Sequence, residues 1–162
     1  MAVFRILAVV ALGMVLASCS NFTTYHGPAV TTIEVHKSDR KMYFLNGKTV
    51  LKSYRIKLGG NPIGPKQFEG DGKTPEGAYY ITHKNPNSQY HLSLGISYPN
   101  ATQRAFAKSQ GKRPGGDIFL HGGPQKWFVG KDWTAGCIAV TDRQIEEIYP
   151  MITTGTPIYI YP

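Results

Sequence analysis

A chain of 162 residues has room for one hydrophobic core and not comfortably for two. Its 18 Lys and Arg outweigh 10 Asp and Glu, giving a formal charge of +8. That excess suits an anionic neighbourhood such as a polyanionic wall or lipid headgroups, while the absence of a dense basic run speaks against nucleic acid.

The first twenty residues, "MAVFRILAVVALGMVLASCS", hold one positive charge, Arg5, then an apolar run from Ile6 to Ala17, then small residues. This is the layout of a secretory signal peptide, and the run is short for a membrane span, which takes about 20 apolar residues. "LASC", residues 16–19, resembles the lipobox of bacterial lipoproteins, which implies removal of residues 1–18 and lipidation of Cys19. The serine at position 20, by the same resemblance, implies an exported protein on the periplasmic side, sorted to the outer membrane. Losing Arg5 leaves the mature chain at +7. Residues 19–30 then read as a lipidated tether, and residues 31–162 as the single folded domain.

From Thr31 the pattern is β-like. "TTIEVHK" alternates, and "KMYFLNGK" and "TVLKSYRIKLG" flank Asn46-Gly47, a strong hairpin signal. A Gly- and Pro-rich loop, residues 59–77, follows; loops of that length are functional or disordered. "AYYIT" and "HLSLGIS" read as strands, and "ATQRAFAKSQG" as a short helix ending at Gly111. "DIFLHG" and "CIAVT" are further strands. In "TDRQIEEIYPMI" Thr141 and Gln144 form a capping-box pair, and Ile145, Ile148, Tyr149 and Ile152 share one helical face. Pro150 predicts an end or kink near Tyr149. "TPIYIYP" is the closing strand. The predicted fold is mostly β, a sandwich or barrel with two short helices, and a monomer is expected.

With Cys19 lipidated, Cys137 has no disulfide partner, a liability in an oxidising compartment unless the thiol is buried or used. It follows "TAG" and precedes "IAV". From composition alone it reads more readily as a buried small hydrophobe than as a nucleophile. A metal site needs three or four ligands at recognisable spacing, which one cysteine and scattered histidines do not supply, so neither metal nor cofactor is expected. A nucleophilic thiol needs a base, and His121, where "DIFLHGG" leaves a strand for a glycine turn, is the best placed. A Cys137 thiolate formed with His121 is the expectation. Gly136 leaves space beside the thiol for an acyl group. Backbone N–H groups around Gly136 and Cys137 are candidate oxyanion donors.

"IFLHGG" followed by "DWTAGCIAVTD" resembles the active-site signature of the L,D-transpeptidases, the YkuD-type catalytic domain. That signature pairs histidine with glycine or serine, then after a spacer has Ser/Thr-x-Gly-Cys. "GNPIGPKQFEGDGKTPEGAYYIT" and "LSLGISYPN" extend the resemblance to residues 31–162. It implies a mostly β, YkuD-like fold with the thiol in a cleft, and peptidoglycan stem peptides as substrate. The cysteine expels the terminal D-alanine to form a thioester, which an amine then resolves. Water in place of the amine would make a carboxypeptidase or amidase. Carried over by position, Cys137 is the nucleophile, His121 the base, and Thr134 and Gly136 the block before the cysteine. Gly122 stands where many members have serine, so a third triad member has to be a backbone carbonyl. Ala135 replaces a frequent histidine, and Ala139 and Val140 replace a frequent Arg or Asn. These departures leave acyl donor and acceptor open.

Lys73, Tyr90, His91 and Tyr98 are candidate substrate-binding residues, each with an alternative as packing or solvated side chain. Lys66 reads rather as part of a connector. Trp127 and Trp133 flank the spacer between His121 and Cys137, as lid or as core. A non-catalytic wall-binding lipoprotein is the competing class, separated by whether a Cys137→Ala variant keeps its phenotype.

Overall fold

The computed structural model describes residues 24–123 and 131–162. The signal segment 1–18, Cys19, the start of the tether and Trp127 lie outside the described residues.

The elements in chain order are β1 (Thr32–His36), β2 (Lys41–Asn46), β3 (Thr49–Arg55), β4 (Gly77–Ser88), β5 (His91–Ile96), α1 (Ala101–Ser109), β6 (Phe119–His121), β7 (Ile138–Ala139), α2 (Asp142–Met151) and β8 (Pro157–Tyr161). The eight strands form one sheet in the order β3-β2-β1-β8-β4-β5-β6-β7. The chain beyond β3 then reaches β7: Lys57 and Ala139 exchange both backbone hydrogen bonds at 2.8 Å, and Gly60 N–H donates to Thr134 O at 3.0 Å. These bridges bring the chain just beyond β3 against the β7 edge, so the sheet curls around one core. The mostly β fold with two helices is the one the sequence predicts.

Alternation decides which side chains fill that core. Ile33 and Val35 on β1, Met42 and Phe44 on β2, and Leu94, Leu120 and Ile138 on β5, β6 and β7 are fully buried. Each such side chain contributes about 1.5–3 kcal/mol by burial. The Asn46-Gly47 hairpin forms with Asn46 opposite Thr49 and Gly47 at φ +56°.

Two elements differ from the sequence reading. β4 runs on through "HKNPNS" to Ser88, with register shifts between Ile81 and Lys84 and between Asn85 and Ser88. The irregular pairing accommodates Pro86, which cannot donate to a ladder. Helix α2 passes Pro150 and ends at Met151, with Ile152 extended. Its apolar face is anchored by buried Ile145 and Ile148, and Lys84 Nζ, from β4, donates to the end carbonyls of Tyr149 and Ile152. Among the described residues no helix is long and apolar enough to cross a membrane.

Candidate active site

Strand β6 sits between β5 and β7, with Leu120 opposite Ile138 and His121 opposite Ala139 in the parallel β6–β7 pair. Leu120 and Ile138 point into the core, so alternation turns Phe119, His121 and Cys137 to the other face. Phe119 N–H donates to Cys137 Sγ at 3.4 Å, and the thiol contacts Asp117 O at 3.5 Å. The thiol, just ahead of β7, and the imidazole, on β6, therefore share a face.

His121 is 1% exposed, covered by Tyr90, whose ring stacks on it at 4.4 Å, and by Trp133 edge-on at 5.9 Å. Its Nδ1 bonds the Gly122 carbonyl. A carbonyl only accepts, so the proton lies on Nδ1 and Nε2 keeps its lone pair. On the other side of the glycine turn, Gly123 N–H donates to Asp142 Oδ1 at 2.7 Å, from the first turn of α2.

Thr134 ties the cysteine loop. Its hydroxyl donates to Cys137 O at 2.7 Å and accepts from Gly136 N–H at 3.1 Å, while its own N–H bonds Leu58 O at 3.1 Å. The Gly136 N–H is thus already engaged in the resting loop. Gly136 has φ +138°, and a Cβ there would lie 2.6 Å from Lys73 O. Only glycine fits, on both counts.

Burial, reinforced by the nearby Asp117 carboxylate, pushes the Cys137 thiol up; the Phe119 N–H and Lys66 pull the other way without prevailing. Burial also pushes the His121 imidazole down, against the opposing Gly122 carbonyl bond. Both shifts favour the uncharged forms of thiol and imidazole, the direction opposite to the thiolate expected from the sequence.

The thiol lines a cavity of about 360 Å³ whose walls include Lys66, Arg113, Asp117 and Ala135. A larger groove of about 780 Å³ lies across Asp117 and Ile118, lined by Tyr80, His83, Asn100 and Arg104. The smaller cavity is the one that Cys137 lines. Loop 59–77 builds its far wall. Lys66, read from sequence as connector, is 4% exposed and bonded to Asp71 at 2.8 Å. Asp71 also accepts from the N–H groups of Gln67, Phe68 and Lys73.

The other candidates fall in different places. Lys73 meets the cysteine loop through its carbonyl against Gly136, while its Nζ lies toward Gly64. Tyr90 covers His121. His91 is turned to exposed Glu146 at 2.7 Å. Tyr98 is buried in the wall of the larger groove, and its hydroxyl donates to Pro114 O at 2.9 Å. Ala139 and Val140 are fully buried, so neither of those departures faces the cavity, whereas Ala135 does. Asp71, Asp117 and Asp142 are site residues that sequence reasoning passed over. The one available signal was Asp142 inside the capping box that begins at Thr141. Among the described residues no cluster of three or more His, Cys, Asp or Glu is arranged to hold a metal ion.

A family model described as the L,D-transpeptidase catalytic domain matches residues 30–160. The chain is 29% identical over 167 residues to the Escherichia coli (strain K12) protein named "Putative L,D-transpeptidase YafK", covering 88% of this chain and 62% of that one. Among solved structures it is similar to the helical cell shape determining protein Pgp2 from Campylobacter jejuni, at 27% identity and TM-score 0.63, covering 84% of this chain and 49% of Pgp2. It is also similar to Bdellovibrio bacteriovorus Bd1075, at 25% identity and TM-score 0.59, covering 86% and 50%. The chain thus spans less than two thirds of the length of each of these relatives.

Proposed function

The chain belongs to the L,D-transpeptidase catalytic-domain family, and from that premise we propose that it is a cysteine-dependent L,D-transpeptidase acting on peptidoglycan stem peptides. The observation that carries the chemistry is the His121 Nδ1 bond to the Gly122 carbonyl, which leaves Nε2 as a base on the face that bears Cys137.

In this reading the stem peptide enters the cavity of about 360 Å³, whose wall carries the Arg113–Glu69 ion pair and the Asp71-bound Lys66. As Sγ bonds the carbonyl carbon of the third stem residue, the thiol proton passes to His121 Nε2. The carbonyl oxygen becomes an oxyanion, with the Cys137 N–H as a donor, since Thr134 already holds that of Gly136. Collapse breaks the bond to the terminal D-alanine, whose amine takes the proton from the imidazolium. The thioester then meets an amine, gives up its acyl group, and regains the thiol proton through His121. Water in the amine's place gives the carboxypeptidase or amidase outcome.

Incubation with stem tetrapeptide or sacculi, read by mass spectrometry, tests this. D-alanine loss with a new crosslink identifies a transpeptidase, and loss without one identifies a hydrolase. Cys137→Ser should abolish both and His121→Ala should reduce them strongly, with native circular dichroism. Wild-type turnover in His121→Ala would refute the pairing. A protein that binds sacculi equally well as Cys137→Ala, and never releases D-alanine, would be a wall-binding module.

The proposal extends to location. Lipidation at Cys19 would place the domain on the periplasmic face of the outer membrane, tethered by residues 19–30, and each buried acyl methylene adds about 0.8 kcal/mol of anchoring. A soluble periplasmic chain with an unmodified N-terminus by mass spectrometry would refute it.

A further inference from the structure

We propose that Asp142 is a positioning residue for His121 and acts on it through the Gly122–Gly123 peptide. The proposal rests on the reading of His121 as the base.

The Gly122 carbonyl and the Gly123 N–H belong to one peptide unit, and in a trans unit they point to opposite sides. His121 Nδ1 bonds the oxygen on one side. The Asp142 carboxylate accepts from the N–H on the other, at 2.7 Å. Amide resonance couples the two ends: an anion on the N–H draws electron density onto the oxygen and makes it the stronger acceptor. The carboxylate thereby reinforces the bond that fixes the imidazole tautomer.

The local structure is built for this arrangement. A Cβ on Gly122 would lie 2.7 Å from Asp142 Oδ1 and 2.8 Å from Ile145 Cγ2, so the carboxylate fills the space a side chain at position 122 would need. Gly123 has φ +140°, which only glycine adopts without strain, and this sets the plane that aims the N–H at Asp142. Asp142 is not occupied in capping α2. Thr141 accepts from Gln144 N–H and Gln144 caps in return, which leaves the carboxylate of the next residue to turn outward. The sequence pattern that makes the helix start, Thr-Asp-x-Gln, thus also delivers an anion to the histidine turn.

The full chain with isotope-labelled histidine tests the coupling by long-range proton–nitrogen correlation. Wild type should show His121 as the Nδ1–H tautomer alone. In Asp142→Ala the Nε2–H tautomer should appear beside it, and kcat on stem tetrapeptide should fall about tenfold with KM within about twofold. Asp142→Asn keeps an oxygen acceptor, so it should retain the tautomer, lose about threefold in kcat, and shift the Gly123 amide proton upfield as the bond loses its charge. Asp142→Ala with one tautomer and wild-type kcat overturns the proposal. Should that variant not fold, Asp142→Asn decides: unchanged kcat with an unchanged Gly123 amide shift overturns it equally. A wild-type protein that shows the tautomer yet forms no acyl-enzyme would instead refute His121 as base, and the tautomer comparison would still judge the Asp142 coupling.

Discussion

Replacing Asp71 with alanine should cost the domain about 3–5 kcal/mol, the usual penalty for removing one partner of a buried ion pair. Its carboxylate holds Lys66 Nζ at 2.8 Å and Lys73 N–H at 3.0 Å through Oδ1, and the N–H groups of Gln67 at 2.8 Å and Phe68 at 3.0 Å through Oδ2. Without it the 4%-exposed Lys66 keeps only the Phe68 carbonyl, at 2.9 Å, and three backbone donors lose their acceptor. For a domain of this size the melting temperature should fall by about 10 °C. The damage should reach the site, because Lys66 lines the thiol cavity and the Lys73 carbonyl abuts Gly136. Thermal unfolding followed by circular dichroism, with the rate of Cys137 alkylation, gives both readouts. The pair Lys66→Met with Asp71→Leu should recover part of the loss, since it removes the stranded charge but restores no acceptor to the loop. A pH series checks the sign. Burial alone would raise the Asp71 carboxyl, but the Lys66 bond and three backbone N–H bonds outweigh it and hold the group below its usual value. Its contribution is therefore complete above the unfolded value near pH 4 and is lost as pH falls through the folded one. A single Asp71→Ala variant melting within about 2 °C of wild type would show that the loop does not depend on this carboxylate.

Three further outcomes are expected. Gly136→Ala should destabilise by about 3 kcal/mol or more in denaturant unfolding, because φ +138° and a Cβ 2.6 Å from Lys73 O both oppose it. Thr134→Val, close in shape, should cost about 1–3 kcal/mol by stranding the Gly136 N–H and the Cys137 carbonyl, whereas Thr134→Ser should be nearly silent in the same measurement. Alkylation of Cys137 by iodoacetamide should be slow at pH 7 and keep rising beyond the ordinary thiol range near pH 9, because burial and Asp117 favour the protonated form; Asp117→Asn should move the rise to lower pH, and an unmoved curve would remove Asp117 from the site's electrostatics.

What the sequence disclosed divides along a physical line. Local signals were legible: the Asn46-Gly47 hairpin, the alternation that buries Ile33 and Val35, and the Thr141–Gln144 box are fixed by neighbours in the chain. The pairing of β6 with β7 was legible only through the motif, since its two short strands carry too little pattern to declare a partner. The closure of the sheet through Lys57 and Ala139 was not legible, being a contact between residues 82 positions apart made by backbone groups that every residue owns. Lys66 misled for a related reason. A lysine in a Gly- and Pro-rich loop looks solvated until Asp71 folds back on it, and that depends on the loop's path. Tyr98 and His91 were candidates for the cleft, yet the chain's path sends their side chains to Pro114 and Glu146.

The two titrating groups at the centre are moved by the same force to opposite effect. Burial raises the thiol and lowers the imidazole, and each change favours the uncharged partner. Both shifts oppose proton transfer from Cys137 to His121 in the absence of substrate. In the proposed acyl transfer, a carbonyl carbon that accepts the sulfur electrons would move the negative charge to an oxygen that backbone donors can hold. A thiol held toward its protonated form is also less open to oxidants, which attack the thiolate. The elements that shift this balance are few and placed on different segments: Lys66 and the Phe119 N–H pull the thiol down, Asp117 pushes it up, and the Gly122 carbonyl supports the imidazolium. Changing Lys66 or Asp117 should shift the pH dependence of Cys137 alkylation, which makes the charge state of the thiol a property of the surrounding loops as much as of the pair.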